Sequence, residues 1–171
     1  MPGQAVVTET TPTQASQAII ATVASYAATD VYGPSVPETD PNPTVVEPEP
    51  TVQSVLLAVC ESKGYGEDCA KSLLGMLWNE SSNISTAIGD RGLARGYFQI
   101  HYKMHKVTTD CAEDLVCSAT WTIGYLEANG YPDFVSYAIQ CHNSCNVKNG
   151  YAAKAIRNGT RLWETPLAIV Q

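Results

Sequence analysis

The most informative segment of the sequence is residues 78–105, WNESSNISTAIGDRGLARGYFQIHYKMH. It begins with Glu80 at the end of an apolar helical run and continues through a polar loop. A glycine-rich turn, GDRG at 89–92, comes next, and an alternating segment at 97–101 follows it. A carboxylate at a helix end that faces a turn with a second carboxylate suits acid-catalysed cleavage of a sugar chain. This stretch therefore contains the candidate catalytic residues.

Apolar residues at helical spacing predict helices on both sides of this stretch. The first helix starts at Val52 and ends around Gly64, and the second extends from about Asp68 to Asn79, which puts Glu80 in or just past its last turn. Three further helices are predicted at 112–126, at 134–139 and from Ala152 to the Asn158-Gly159 pair. Residues 89–102 predict a small hairpin or irregular ribbon. The expected fold class is α+β, mostly helical, with a small β-hairpin beside a cleft.

The front of the chain differs in composition from the rest. Residues 1–51 are rich in Thr, Ala, Val and Pro, and the segment 33–50 (GPSVPETDPNPTVVEPEP) favours an extended spacer over helix or sheet. We expect a disordered tail or a tether at 1–51, a folded domain at 52–164 and a C-terminal tail at 165–171. A tether would connect the domain to something larger, such as a phage particle or a secretion apparatus.

The charge is also uneven along the chain of 171 residues. All ten Lys and Arg lie between Lys63 and Arg161, so the net charge of −7 belongs mostly to the acidic front. This balance argues against a nucleic-acid-binding protein and against electrostatic attraction to an anionic cell wall, so affinity must come from a specific groove. No stretch of 18 apolar residues is present, and no membrane span is expected.

Six cysteines occur in three close pairs: Cys60/Cys69, Cys111/Cys117 and Cys141/Cys145. An even number in local pairs favours three local disulfides and an oxidising compartment, outside the cell, in the periplasm or on a virion. Two alternatives remain open. A zinc site could use Cys141, His142 and Cys145, although no CxxC or HxxxH spacing supports it. The cysteines could also be free buried thiols.

The motifs resemble the lysozyme-like superfamily. Glu80-Ser81, Ala87, the GDRG turn and the segment GYFQI at 96–100 occur in the order typical of that superfamily, and GDRGLARGYFQIHYKMH is most similar to goose-type lysozymes. The later segment YAIQCHNS at 137–144 resembles an element of soluble lytic transglycosylases. The resemblance covers about residues 52–159. It implies a lysozyme-like fold and cleavage of peptidoglycan strands.

Cleavage of a glycosidic bond requires an acid that protonates the leaving oxygen. Glu80 is the predicted general acid, because it lies at the apolar end of a helix beside Trp78 and is partly desolvated. Asp90 matches the GDRG aspartate that goose-type enzymes are thought to use to hold the attacking water. It could instead cap the turn. Where those enzymes have another aspartate, this chain has His101, which could act as a base, line the groove or be a surface residue on the hairpin.

Five further residues are predicted to bind substrate: Ser81, Tyr97, Gln99, His142 and Asn143. Gln99 could either hydrogen-bond to the sugar or hold its own strand, and Tyr97 could equally belong to the core. Asn143 corresponds to the transglycosylase residue that contacts the N-acetyl region. His142 stands where that element usually has Tyr.

The function expected from the resemblance is a muramidase that cleaves the β-1,4 bond between N-acetylmuramic acid and N-acetylglucosamine. One alternative is a lytic transglycosylase, in which the C6 hydroxyl of the sugar attacks and a 1,6-anhydro end forms. Another is a non-catalytic cell-wall-binding or structural module, and chitin-type oligosaccharides are a further possible substrate. We expect no metal, no organic cofactor and a monomeric domain whose partners are peptidoglycan glycan strands.

Overall fold

The computed structural model describes residues 49–170. This part of the chain is a mostly helical α+β structure with seven helices and a small antiparallel sheet. The elements are α1 (Val52–Ser62), α2 (Glu67–Ser81), β1 (Ile88–Gly89), a 3-10 helix (Asp90–Gly92), β2 (Ala94–Arg95), β3 (Ile100–His101), α3 (Tyr102–His105), α4 (Thr109–Glu113), α5 (Leu115–Ala128), α6 (Val135–Asn143) and α7 (Tyr151–Leu162). The predicted class, α+β and mostly helical, is confirmed at this level.

The first two helices form where the apolar spacing predicts them. Helix α1 starts with a capping box, in which the Thr51 side chain accepts from the Ser54 amide and Ser54 bonds back to Thr51. Helix α2 ends at Ser81, and its C-cap residue Ser82 adopts a left-handed conformation that terminates it. Glu80 therefore lies in the last turn of α2, and the next residues turn toward the sheet.

The predicted long helix at 112–126 is wrong, because the chain forms two helices there. Asp114 leaves the helical conformation with φ −84° and ψ 129°, and its side chain accepts from the Cys117 amide at 2.7 Å. An N-cap aspartate satisfies an amide that would otherwise lack a partner, so it starts α5 as a separate helix. The disulfide between Cys111 and Cys117 spans the break.

Helix α7 continues past its predicted end at Asn158-Gly159 and stops at Leu162. Gly159 lies where α7 crosses α2, and a Cβ built on it would overlap the carbonyl oxygen of Lys71. Gly75 of α2 is its counterpart, since a Cβ there would overlap the carbonyl oxygen of Ala155. The glycine in α7 therefore serves close helix approach and does not terminate the helix.

The ribbon predicted at 89–102 is a three-stranded antiparallel sheet in the order β1-β2-β3. Ala94 of the central strand pairs with Gly89 on one side and with His101 on the other. The helix α3, which follows directly after β3, is an element that the apolar spacing did not predict. Residues at paired positions share one face of the sheet, so this row of three faces the same way.

All three local disulfides are present: Cys60–Cys69, Cys111–Cys117 and Cys141–Cys145. The predicted pairing is confirmed, and neither the zinc site nor the free thiols are observed, because these sulfurs are bonded to each other. Three disulfides indicate an oxidising compartment. The last bridge encloses His142 and Asn143, which face the cleft described below.

The C-terminal segment contacts the start of the domain. The Val52 amide donates to the Leu167 carbonyl at 2.9 Å, and Thr51 forms an isolated antiparallel bridge with Ala168. Gln53 is buried and bonds to this segment through both ends of its amide group. The predicted tether falls almost entirely outside the described residues, and the boundaries at 51/52 and 164/165 stay predictions. No helix within 49–170 is long and apolar enough to cross a membrane.

Candidate active site

A cleft of about 390 Å³ lies between the end of α2, the small sheet and the end of α6. Its lining residues are Glu80, Asp90, Ala94, Gln99, His101, His142 and Asn143. Ala94 is the one apolar residue in this set. Six of the eight predicted site residues are thus brought together in one polar cleft, although they come from four separate parts of the chain.

The two carboxylates of the cleft differ in their exposure to solvent. The Glu80 side chain is 17% exposed, whereas the Asp90 side chain is 62% exposed. Glu80 is held in the last turn of α2, and Asp90 opens the 3-10 helix that follows β1. The enclosed carboxyl group is suited to contact a bound substrate, and the exposed one is accessible to water.

Tyr151 contacts Glu80 and was missed from the sequence. Its hydroxyl donates a hydrogen bond to Glu80 Oε1 at 2.5 Å. Burial raises the pKa of the Tyr151 phenol, and the Glu80 carboxylate raises this pKa further, so the hydroxyl stays protonated and acts as a donor. The signal available in the sequence was an aromatic residue directly after Asn149-Gly150, one position before the apolar repeat of the last helix.

The backbone around Asp90 is unusual. Asp90 and Arg91 have positive φ values of 44° and 54°, and Gln99 across the sheet has φ 48°. Left-handed conformations of non-glycine residues cost on the order of 1–3 kcal/mol each and are often found at functional sites. The strain therefore supports a functional role for this turn.

His101 stands at the end of β3, and its Nε2 lies 3.3 Å from Asp90 Oδ2. Its Nδ1 is buried and has no hydrogen-bond partner among the described residues. The histidine and the aspartate thus form a pair across the mouth of the cleft.

The side-chain amide of Gln99 bonds to the backbone at both ends of the segment 87–96. Its Nε2 donates to the carbonyls of Ala87 and Gly96, both at 3.0 Å. Its Oε1 lies over Gly89, where a Cβ would overlap it. Both interpretations of Gln99 have some support, since the residue lines the cleft while its amide nitrogen is used by the backbone.

His142 is a buried wall of the cleft, with a side chain that is 7% exposed. Its Nε2 lies 2.8 Å from the Phe98 carbonyl, and because a carbonyl only accepts, this nitrogen carries the hydrogen. The same nitrogen is 3.9 Å from Glu80 Oε1. The ring stacks on Tyr151 with 6.4 Å between centroids, so His142 keeps the tyrosine over Glu80.

Asn143 is exposed beside His142, and its Oδ1 accepts a hydrogen bond from Asn149 at 2.8 Å. The Asn149 side chain also accepts from the Tyr151 amide, at 3.1 Å, and so connects Asn143 to the start of α7. The position of this predicted substrate contact is therefore coupled to the position of the tyrosine.

Two predicted site residues do not line the cleft. The Ser81 hydroxyl is buried and donates back to the Leu77 carbonyl at 3.3 Å. Tyr97 is 1% exposed, and its hydroxyl donates to the Val170 carbonyl at 2.8 Å. Their contacts are those of structural residues, which agrees with the core interpretation left open for Tyr97.

Within residues 49–170, no cluster of three or more His, Cys, Asp or Glu side chains has the arrangement of a metal site. The expectation of a reaction without metal or cofactor stays a prediction. Comparison of the chain with protein-family models, with curated proteins and with solved structures finds no match.

Proposed function

We propose that this protein is a lysozyme-like muramidase that cleaves the β-1,4 bond between N-acetylmuramic acid and N-acetylglucosamine in peptidoglycan. The observation that carries the proposal is the enclosed Glu80 carboxyl, which shares a polar cleft with the exposed Asp90. Glycoside hydrolysis uses two carboxyl groups in unequal environments. The motif order in the sequence supports the same assignment.

In the proposed reaction, Glu80 gives its proton to the glycosidic oxygen, and the bond from that oxygen to the anomeric carbon breaks. The N-acetylglucosamine side leaves as an alcohol, and positive charge develops on the other sugar. Water then adds to the anomeric carbon and loses a proton to Asp90. Tyr151 fixes the orientation of the Glu80 carboxyl through its hydrogen bond, and His142 supports the tyrosine.

Chitin-type oligosaccharides are an alternative substrate, because the polar lining also suits binding to their N-acetyl sugars. A lytic transglycosylase is an alternative enzyme, and it would use Glu80 as its only catalytic carboxyl group. Such an enzyme needs no water base, because the C6 hydroxyl of the sugar attacks after Glu80 has become the base. A cell-wall-binding module is the alternative outside enzymes. The oxidising compartment fits a protein that acts outside the cell, in the periplasm or on a virion, with the N-terminal tether attached to a larger assembly.

The test is a peptidoglycan digest read by mass spectrometry with wild type, Glu80→Gln and the control Glu61→Gln, which changes an exposed carboxylate at the end of α1. We expect muropeptides with reducing ends, a loss on the order of 10²–10⁴-fold for Glu80→Gln, and no change for the control. Products lighter by one water would indicate a transglycosylase. If none of the three proteins releases products, the proposed activity is wrong and the cell-wall-binding module is the remaining interpretation.

A further inference from the structure

His101 faces Asp90 in a way that decides which of the two can act on water. The Nε2 atom lies 3.3 Å from Asp90 Oδ2. Because a carboxylate oxygen only accepts, this contact is attractive when Nε2 carries the hydrogen. In a neutral imidazole the other nitrogen, Nδ1, is then the one that could take a proton. Nδ1 is buried and has no partner among the described residues. It does not open toward the cleft as a base would.

Asp90 has the complementary geometry. Its side chain is 62% exposed, and the contact with His101 involves Oδ2. The carboxylate therefore keeps a second oxygen for solvent. It also projects from a turn with two successive left-handed residues, Asp90 and Arg91, so its direction is set by the backbone at one end and by the imidazole at the other.

The sheet explains why the imidazole can reach Asp90. Gly89, Ala94 and His101 form one row across the three strands, because Ala94 pairs with both of the others. Paired residues project from the same face. The first position of this row has no side chain of its own and is covered by Gln99 Oε1, and the second has only a methyl group. No large side chain of this row therefore stands between the His101 ring and Asp90, the residue after Gly89.

We propose that His101 is a positioning residue that orients Asp90 as the base for the attacking water. The proposal rests on the proposed function and deepens it. The Nε2–H group holds one carboxylate oxygen, and the other oxygen takes a proton from water as the water oxygen bonds to the anomeric carbon. His101 itself exchanges no proton with the substrate. The products are then two hydrolysed chains with a new reducing end, and no 1,6-anhydro end forms.

The experiment compares wild type, His101→Gln, His101→Phe, Asp90→Asn and the double variant Asp90→Asn/His101→Phe in the peptidoglycan digest. Glutamine has an N–H donor near the place of Nε2, and phenylalanine keeps the ring without a donor. We expect His101→Phe to lower kcat by about tenfold or more, since the polar contact between the imidazole and the Asp90 carboxylate is lost. KM and the melting temperature should stay near wild type. His101→Gln should keep most of the turnover, and the double variant should be no slower than Asp90→Asn.

Several results would overturn the positioning role. If His101→Phe has the same kcat as wild type, Asp90 does not require His101 to orient its carboxylate. Equal losses in the Gln and Phe variants would show that a titrating imidazole is required. A double variant slower than Asp90→Asn by the full His101→Phe factor would make the two residues independent. If the Phe variant does not fold, His101→Asn replaces it, since its amide is too short to reach Asp90. Glu80-dependent release of sugars by wild type keeps these failures separate from failure of the proposed function.

Discussion

Tyr151 and Glu80 are 71 positions apart in the chain, yet the phenol donates to the carboxylate at 2.5 Å. The tyrosine begins α7, and the glutamate ends α2. The hydrogen bond fixes which oxygen of Glu80 faces the cleft and which faces the protein. A catalytic carboxyl group that is held in this way loses less rotational freedom when substrate binds.

Replacing Tyr151 with Phe removes this donor and keeps the ring that stacks on His142. We expect kcat on peptidoglycan to fall roughly 10–100-fold, because a hydrogen bond to a charged group contributes about 1.5–3 kcal/mol and about 1.4 kcal/mol corresponds to a factor of ten. Steady-state kinetics of soluble muropeptide release measures the effect. Tyr137→Phe on the exposed face of α6 is the control and should leave kcat unchanged. If Tyr151→Phe is as active as Tyr137→Phe, the Tyr151 hydroxyl has no role in catalysis.

At the scale of elements, the site depends on how α2 crosses α7. These two helices make the most extensive helix–helix contact in the described residues. Gly75 and Gly159 lie at the crossing and let the backbones approach closely. The crossing therefore sets the distance between Glu80, near the C-terminal end of α2, and Tyr151, at the N-terminal end of α7.

Gly75→Ala places a methyl group against the carbonyl of Ala155 in α7. We expect a loss of about 1–3 kcal/mol in the free energy of unfolding, because added volume forces packed backbones apart. Turnover should fall as well, since Tyr151 moves away from Glu80. Urea unfolding followed by circular dichroism measures the stability.

The matched control for this substitution is Gly124→Ala in the middle of α5, where a Cβ meets nothing within 4 Å. Alanine is favoured over glycine in a helix by roughly 1 kcal/mol, so this variant should be neutral or slightly more stable. A Gly75→Ala protein as stable as Gly124→Ala would contradict the close crossing.

At the level of the whole described domain, the C-terminal segment contacts the start of α1, and a cluster of aromatic rings surrounds His105. His105 packs on Trp121 and Tyr125, with centroids 4.9 and 5.6 Å away. Burial lowers the pKa of His105, and its electrostatic interactions with the nearby His142 and His101 rings lower this pKa further. The fold therefore prefers neutral His105.

This preference predicts how stability depends on pH. A histidine whose folded pKa lies below its unfolded value binds fewer protons in the fold, so the stability it contributes is present above about pH 6.5 and is lost as pH falls through the folded pKa. We expect the melting temperature of wild type to fall from pH 7 to pH 5 more steeply than that of His105→Gln. Differential scanning calorimetry at both pH values tests this, and parallel slopes would contradict it.

Local features of the sequence predicted much of this architecture. The apolar repeat located α1 and α2, and the close spacing of the cysteines predicted all three disulfides. A small hairpin or ribbon was predicted over residues 89–102, where the sheet lies, and six of the eight site residues predicted from the motif resemblance line one cleft. The helix, ribbon and disulfide predictions depend on neighbours within a few positions, and such neighbours interact in much the same way whatever the rest of the fold does.

The contacts between residues far apart in the chain could not be predicted from the sequence and follow from the packing of the folded domain. Tyr151 reaches Glu80 because Gly75 and Gly159 let two helices touch, and the same packing carries α7 past a glycine that would locally end it. Tyr97 points to Val170 rather than to the cleft because that segment folds back over it. Such contacts depend on the shape and volume of surfaces far apart in the chain, which periodicity and turn preferences do not encode.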